Sequence, residues 1–374
     1  MNRRFSTFTL LAALVLACTA SIAFAQDGPV LKATPLFTAI RHNAPAVESS
    51  DVPAKHLVQW NGSFIDLHGA KRTFTMAGTD PSKTNVTTTF TVWVIPVKFV
   101  YDSSHGNKTF DPQHKLSNGR TVIQNTLKSP LFNAGIDFKQ GATDLGNTQY
   151  IDAFQRGTWW GKNVKKNNKY HVLLKPVIKP EQTINCTDAS CQVDTFNFGG
   201  PNITAGLADI NFYDAQVQSF MTKLGATADI LPLFIWYDVY LTQPPDGLPG
   251  CCIGGYHGTN GGPPNSQTYS NAAYADVKGI FSQDVSAMSH ELGEWMDNPF
   301  FGTNTVGCMD NSQLEVGDPL EGQPNFGGFP YKLNGFTYNL QSLVWIGYFG
   351  APTKDSANKW LSFQNDETHV CPGQ

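Results

Sequence analysis

The chain has 374 residues, a formal net charge of -4, 41% hydrophobic residues and only 15% charged ones. That composition supplies a substantial core, and no run of basic residues forms the stripe that a nucleic-acid partner requires. Beyond the N-terminus no stretch is long and apolar enough to span a bilayer, so neither nucleic acid nor a membrane span is expected.

Met1-Asn2-Arg3-Arg4 is basic, Phe5 to Ala25 is largely apolar, and the run ends Ala23-Phe24-Ala25. A basic start, a short apolar centre and a small-x-small end predict a signal peptide over 1–25 and a secreted or periplasmic location. Val15-Leu16-Ala17-Cys18 is a loose lipoprotein-type box, so lipid anchoring at Cys18 is the alternative. Removal of the signal leaves about 350 residues, enough for one large or two ordinary domains. An N-terminal leader and strand region over 26–86 precedes a main domain over 87–374. Of the seven cysteines, Cys18 leaves with the signal; an even set remains, which in an exported chain implies disulfides. Cys186 and Cys191 are expected to pair. Adjacent cysteines bridge with strain, so Cys251 and Cys252 are expected to pair separately with Cys308 and Cys371.

Gln26 to about Lys55 lacks periodicity and reads as an exposed leader, and Leu57 to Phe74 as a hairpin. Thr87 to Tyr101 is β-branched and aromatic, hence a strand; Pro96 within it implies an edge position or a bulge. Asp102 to Asn118 is a polar loop. Thr121 to Leu127 and Thr148 to Arg156 read as short helices, Tyr170 to Pro176 as a strand, and Gly199 to Thr204 as a turn-rich connector. Asp209 to Leu224 has amphipathic helical spacing. Leu231 to Leu241 is a buried strand, Pro244 to Gly262 a loop rich in Gly and Pro, and Tyr269 to Tyr274 another strand. After Pro299 the chain reads as loop until the apolar segment Leu343 to Tyr348. Strands and helices that mix without strict alternation predict an α+β fold.

The stretch Ser289-His290-Glu291-Leu292-Gly293-Glu294-Trp295-Met296-Asp297-Asn298-Pro299 reads as a helix that begins near Ser282 and stops at the proline. His290 and Glu294 are four apart and share a face, so both can reach one cation. Glu291 points off that pair, where it can act on a water. This is the His-Glu-x-x-His zinc helix with a carboxylate in place of the second histidine, and carboxylate oxygen is an accepted zinc ligand. The competing reading of such a pentad is a solvated helix face; the apolar Met288, Leu292, Trp295 and Met296 around it argue for burial.

A catalytic zinc takes three protein ligands. Asp318 is the first candidate for the third, set between Gly317, which frees the backbone, and Pro319, which holds Asp318 extended. Glu315 is the second candidate, or a residue that orients a ligand. His257, in the loop expected at Cys251 to Gly258, is a further site residue, as a ligand or as a hydrogen-bond donor to substrate. No Gly-x-Ser-x-Gly nucleophile elbow and no phosphate-cradling glycine loop is present.

Cys252-Ile253-Gly254-Gly255-Tyr256-His257-Gly258, then Ser289-His290-Glu291-Leu292-Gly293-Glu294 and the following Asn-Pro, resemble a group of exported bacterial proteins with a zincin-like His-Glu-x-x-Glu helix. More distantly they are similar to the plant phosphate-induced/exordium-like proteins, which have a related Cys-Gly-x-His segment. The resemblance covers roughly residues 87–320. It implies a zincin-like metallopeptidase domain with a mixed sheet and a metal-site helix, and it carries over His290, Glu291 and Glu294, with Asp318 and His257. The expected function is that of a secreted zinc-dependent hydrolase, most readily a peptidase, in which Glu291 activates water, with a peptide or cell-wall polymer as substrate. The alternative is a non-catalytic extracellular protein that binds wall polymer or glycan.

Overall fold

The computed structural model describes residues 31–32, 36–42, 55–161, 163–197, 202–243, 251–276, 281–301 and 313–371. The chain begins with β1 (Leu31–Lys32), β2 (Leu36–Arg41), β3 (Gln59–Ile65), β4 (Lys71–Ala77), β5 (Thr87–Tyr101) and β6 (Thr109–Phe110). Helix α1 (Val122–Leu127), strands β7 (Ile136–Gln140) and β8 (Thr143–Thr148) and helix α2 (Tyr150–Thr158) come next. Strands β9 (His171–Ile178), β10 (Gln182–Cys186), β11 (Cys191–Asn197) and β12 (Ile203–Asp209) lead into helix α3 (Ile210–Leu224). After it run β13 (Ile230–Tyr237), β14 (Val239–Thr242), β15 (Cys251–Thr259), β16 (Thr268–Tyr274), helix α4 (Ser286–Asp297) and the hairpin β17 (Gly328–Leu333) and β18 (Phe336–Gln341).

Twelve of these strands form one mixed sheet in the order β1-β11-β12-β14-β15-β16-β13-β5-β10, with β2 beside β15 and both β6 and β9 beside β5. The expectation of an α+β, zincin-like domain is overturned: the structure is mostly β, whereas a zincin fold is rich in helix. The reason lies in segments whose glycines, turns and polar residues read as loop but which pair as strands. The connector at 199–204 runs into β12, Pro244 to Gly262 contains β15, and the stretch after Pro299 contains β17 and β18. Part of the expected leader joins the main sheet as well, because β2 pairs in parallel with β15.

Strand β5 is interior, which corrects the edge reading of Pro96. It pairs with β13 along one side, and on the other with β9 up to Val94 and with β10 from Val97 onward. Pro96 stands at the handover between those two partners, where a missing N–H interrupts the ladder least. The segment expected as one strand over 231–241 is two, β13 and β14, broken at Asp238 with φ 48°.

Local chemistry fixes the helix ends. Thr121 and Gln124 form a capping box on α1. The Asp209 carboxylate accepts from the N–H groups of Asn211 and Phe212, and α3 ends on the left-handed Gly225. Every residue of α4 is buried. A helix covered on all sides belongs to an interior, and α4 packs against β15, β16, β18, β4 and α2. Gly293 makes this approach possible, since a Cβ there would lie 2.4 Å from the Leu343 side chain. Trp295 Nε1 donates to Thr268 Oγ1 at 2.9 Å, which ties α4 to β16.

Cys186 pairs with Cys191, and Cys251 pairs with Cys252. The second pair corrects the expected bridges from these residues to Cys308 and Cys371. Both sulfurs are buried at the start of β15 and satisfy each other, so neither reaches the C-terminus. Cys371 is itself disulfide-bonded, and Cys308 lies outside the described residues. Among the described residues no helix is long and apolar enough to cross a membrane.

Side chains alternate along β15 and divide its faces. Tyr256 turns toward α3, where its hydroxyl donates to Asp214 Oδ1 at 2.9 Å, beside the hydroxyl of Tyr269, which donates to the same oxygen at 2.8 Å. Gly255 and His257 turn toward α4. Asp214 therefore clamps α3 onto the strand that carries His257. Asp214→Ala strands two buried hydroxyls and is expected to destabilise the fold by about 2 to 4 kcal/mol. Urea unfolding measures this; a variant as stable as the parent would show that the clamp contributes nothing.

Candidate metal centre

Helix α4 presents His290, Glu291 and Glu294 inside the protein, all essentially without solvent exposure. From β15 comes His257, and from the segment after residue 312 come Glu315 and Asp318. His257 lies on a strand and not on the loop expected for it. The structure thus brings all six sequence-predicted site residues into one cluster.

Two groups within it have ligand atoms close enough to hold a metal ion: His290, Glu294 and Asp318, and His257, Glu294 and Glu315. In the first, His290 Nε2 lies 2.9 Å from Glu294 Oε1 and 3.3 Å from Asp318 Oδ1. In the second, His257 Nδ1 lies 3.7 Å from Glu294 Oε2 and 3.9 Å from Glu315 Oε2. Glu291 leans toward the second group, with Oε2 at 3.5 Å from His257 Nδ1. It rests on β15 at Gly255, where a Cβ would come within 2.7 Å of its carboxylate.

Both histidines are aimed by their outer nitrogens. His290 Nδ1 lies 2.8 Å from Gln341 Oε1, an acceptor only, so the ring donates there and turns Nε2 inward. Gln341 is itself held: its amide nitrogen donates to Gly317 O at 2.9 Å, and its backbone N–H donates to Ser289 Oγ at 2.8 Å. His257 Nε2 donates to the Asn298 carbonyl at 3.3 Å, which turns Nδ1 inward. Phe301 covers that ring, with centroids 4.5 Å apart. Asn298 also donates from its side chain to Glu315 Oε1 at 2.7 Å, and the Gly317 N–H donates to Glu294 Oε1 at 3.1 Å. Outer hydrogen bonds of this kind set tautomer and orientation in metal sites.

Gly317 acts differently from the expectation drawn from the sequence. Its backbone is ordinary, with φ -90° and ψ -38°, and Asp318 opens a 3-10 turn over Asp318–Leu320 and is not extended. The glycine is needed for room, because a Cβ would lie 2.3 Å from His290 Nδ1.

The electrostatics match the geometry. Burial raises the carboxyls of Glu291, Glu294 and Glu315 well above the usual range, and the charge of Asp318 raises all three further. Burial alone would depress His290, but its hydrogen bond to Asp318 and the charge of Glu291 outweigh that, and it is pushed up to about 9. Burial pushes His257 down to about 3. A proton and a metal ion compete for the same His290 lone pair, and the same carboxylates attract either. The donor set of imidazole nitrogen and carboxylate oxygen fits a divalent cation. Carboxylates gathered in a dry interior need such compensation.

Gln341 and Asn298 were not singled out in the sequence. Gln341 lies 51 residues from His290 and carries no local signal. Asn298 stands directly before the helix-stopping Pro299, a hint only to its place at the helix end. Compared with known protein families, curated proteins and solved structures, the chain matches none.

Gln341→Ala removes the acceptor that orients His290 and is expected to weaken divalent-cation affinity about 10- to 100-fold. Chelator competition measures it. Unchanged affinity would mean that His290 holds its orientation without the amide.

Proposed function

We propose that this chain is an exported zinc-dependent hydrolase, with a peptide as its favoured substrate. The observation that carries the reading is the Glu291 carboxylate: it is fully buried, neither oxygen has a hydrogen-bond partner among the described residues, and its Oε2 faces His257 Nδ1 at 3.5 Å, beside the carboxylates of the cluster. A bare carboxylate in a dry interior is costly as a structural feature and useful as a proton acceptor. His290, Glu294 and Asp318 would hold the cation, and zinc when bound supplies a Lewis acid that polarises a carbonyl.

The chain's own residues supply the rest. Glu291 Oε2 takes a proton from the attacking water and returns it to the leaving amine. Gly255 leaves the space in which that carboxylate lies. His257 stands beside it and keeps Nδ1 directed at the same point. Export is supported by the signal-like residues 1–25 and by disulfide bonding at Cys186–Cys191, at Cys251–Cys252 and at Cys371.

One observation favours a second reading, a non-catalytic extracellular protein that binds wall polymer or glycan. A cavity of about 530 Å³ lies between the β3–β4 hairpin, the end of α2 and residues 351–356. Trp60, Phe64 and Trp159 line it together with Asn61, Ser63 and Asp80. Aromatic faces edged by polar groups suit a sugar ring, and none of the six metal-centre residues borders this cavity.

Glu291→Gln is expected to lower peptide hydrolysis about 100- to 10,000-fold, with metal content and unfolding midpoint preserved. Peptide-library assays with and without chelator, together with metal analysis of the variant, test this. Retained hydrolysis, or loss of bound zinc, would refute the assignment. A wild-type protein that cleaves no peptide but binds glycan through Trp60 and Trp159 would favour the second reading.

A further inference from the structure

The two candidate ligand groups share Glu294, and they share it in a particular way. Its Oε1 faces His290 Nε2 at 2.9 Å and its Oε2 faces His257 Nδ1 at 3.7 Å. One carboxylate thus offers one oxygen to each group. We propose that the centre is dinuclear, with His290, Asp318 and Glu294 Oε1 holding one divalent cation, His257, Glu315 and Glu294 Oε2 holding a second, and the Glu294 carboxylate bridging them.

The second position rests on His257. Its side chain is fully buried, and among the described residues Nδ1 has no hydrogen-bond partner. With Nε2 donating to the Asn298 carbonyl, Nδ1 carries a lone pair. That lone pair faces carboxylate oxygens of Glu291, Glu294 and Glu315 at 3.5, 3.7 and 3.9 Å. These distances are longer than an ordinary direct hydrogen bond. They are close to the separation of ligands around a common cation: with zinc bonds near 2.1 Å, neighbouring ligand atoms of a tetrahedron lie about 3.4 Å apart. Asn298 holds both ends of the group, since its carbonyl takes His257 Nε2–H and its amide donates to Glu315 Oε1, away from the oxygen that faces the histidine. The His257 group is therefore oriented by the same kind of outer contacts as the His290 group.

A carboxylate that bridges through its two oxygens matches the spacing of two-metal sites, about 3.5 to 4 Å between cations. Such a pair clamps an oxygen on either side of a reacting centre, which suits hydrolysis. Glu291 would then lie at the second cation, because its Oε2 approaches His257 Nδ1 at 3.5 Å. This inference rests on the reading of the cluster as a divalent-cation site, and its test is independent of any substrate.

The experiment is zinc titration into the full-length mature protein after chelator stripping, read by elemental analysis and by X-ray absorption. Two zinc ions per chain, with metal–metal scattering at about 3.5 to 4 Å, are expected. His257→Ala and, separately, Glu315→Gln should each reduce the content to one and abolish that scattering. His290→Ala should also leave one, whereas Glu294→Gln should weaken both. The wild-type measurements stand on their own if a variant fails to fold. One zinc per chain, unchanged in His257→Ala, would overturn the dinuclear assignment and leave a mononuclear hydrolase intact. Failure to bind any zinc would overturn both.

Discussion

The need to neutralise charge inside a dry interior governs this structure. Helix α4 is buried along its whole length, yet it carries His290, Glu291 and Glu294. Glu315 and His257 are brought to the same place and are equally buried. Hydrophobic burial of the apolar side chains of α4 positions the helix, but it cannot by itself compensate ionised carboxylates held together without solvent. The hydrogen bonds from Gly317 and Asn298 offset part of that cost. A cation would remove the remainder, because it would turn mutual repulsion among the oxygens into shared attraction. The backbone around the site is shaped by this requirement. Gly255 and Gly317 have no side chain because Glu291 and the His290 ring occupy the volume a Cβ would need.

The sheet contributes rigidity and a division of labour. On one face of β15, Tyr256 joins Tyr213, Tyr269 and Asp214 in an aromatic and hydrogen-bonded layer beneath α3. On the other face, one residue further along, His257 enters the candidate metal centre. Strand alternation thus puts packing and chemistry on adjacent residues without mixing them. A register slip of one residue would exchange Tyr256 and His257. The β17–β18 hairpin plays a comparable part on the far side. Asp284, just before α4, accepts from the backbone and side chain of Asn339, and Ser289 accepts from the Gln341 N–H. These bonds pin β18 to the helix and deliver Gln341 to His290.

How much of this was legible in the sequence depended on the range of the signal. The spacing of His290 and Glu294 is a local property of a helix, and the helix formed around them and stopped before Pro299; it begins at Ser286 and not near Ser282, because Phe281, Ser282 and Asp284 take positive φ. Helices α1 and α3 were likewise readable over local stretches, α3 from its amphipathic spacing. The fold class was not. Strand β15 carries glycines at 254, 255 and 258, and glycines weigh toward loop when only propensity is available. Their function there is close approach, to Phe281, Glu291 and Tyr269, and that partner set exists only after folding. The same holds for Pro96, whose place between two successive partner strands is a property of the sheet and not of the segment. Gln341 was invisible because an amide that orients a histidine has no characteristic spacing from it.

The exposure of the six site residues also has a direction. Five are sealed, whereas the Asp318 side chain keeps 16% of its surface open to solvent. Among the described residues, then, the centre meets water on the side of the short turn Asp318–Leu320 and not through the sheet. A cation that entered there would meet Asp318, His290 and Glu294 Oε1 first, and would pass Glu294 before it reached His257 and Glu315. With two cations bound, the Glu294 carboxylate would lie between an outer and an inner position. The outer position would lie next to solvent, which suits exchange. The inner one, enclosed by Phe301 and β15, suits retention. Burial graded across one carboxylate would let a single cluster combine a firmly held ion with an accessible one.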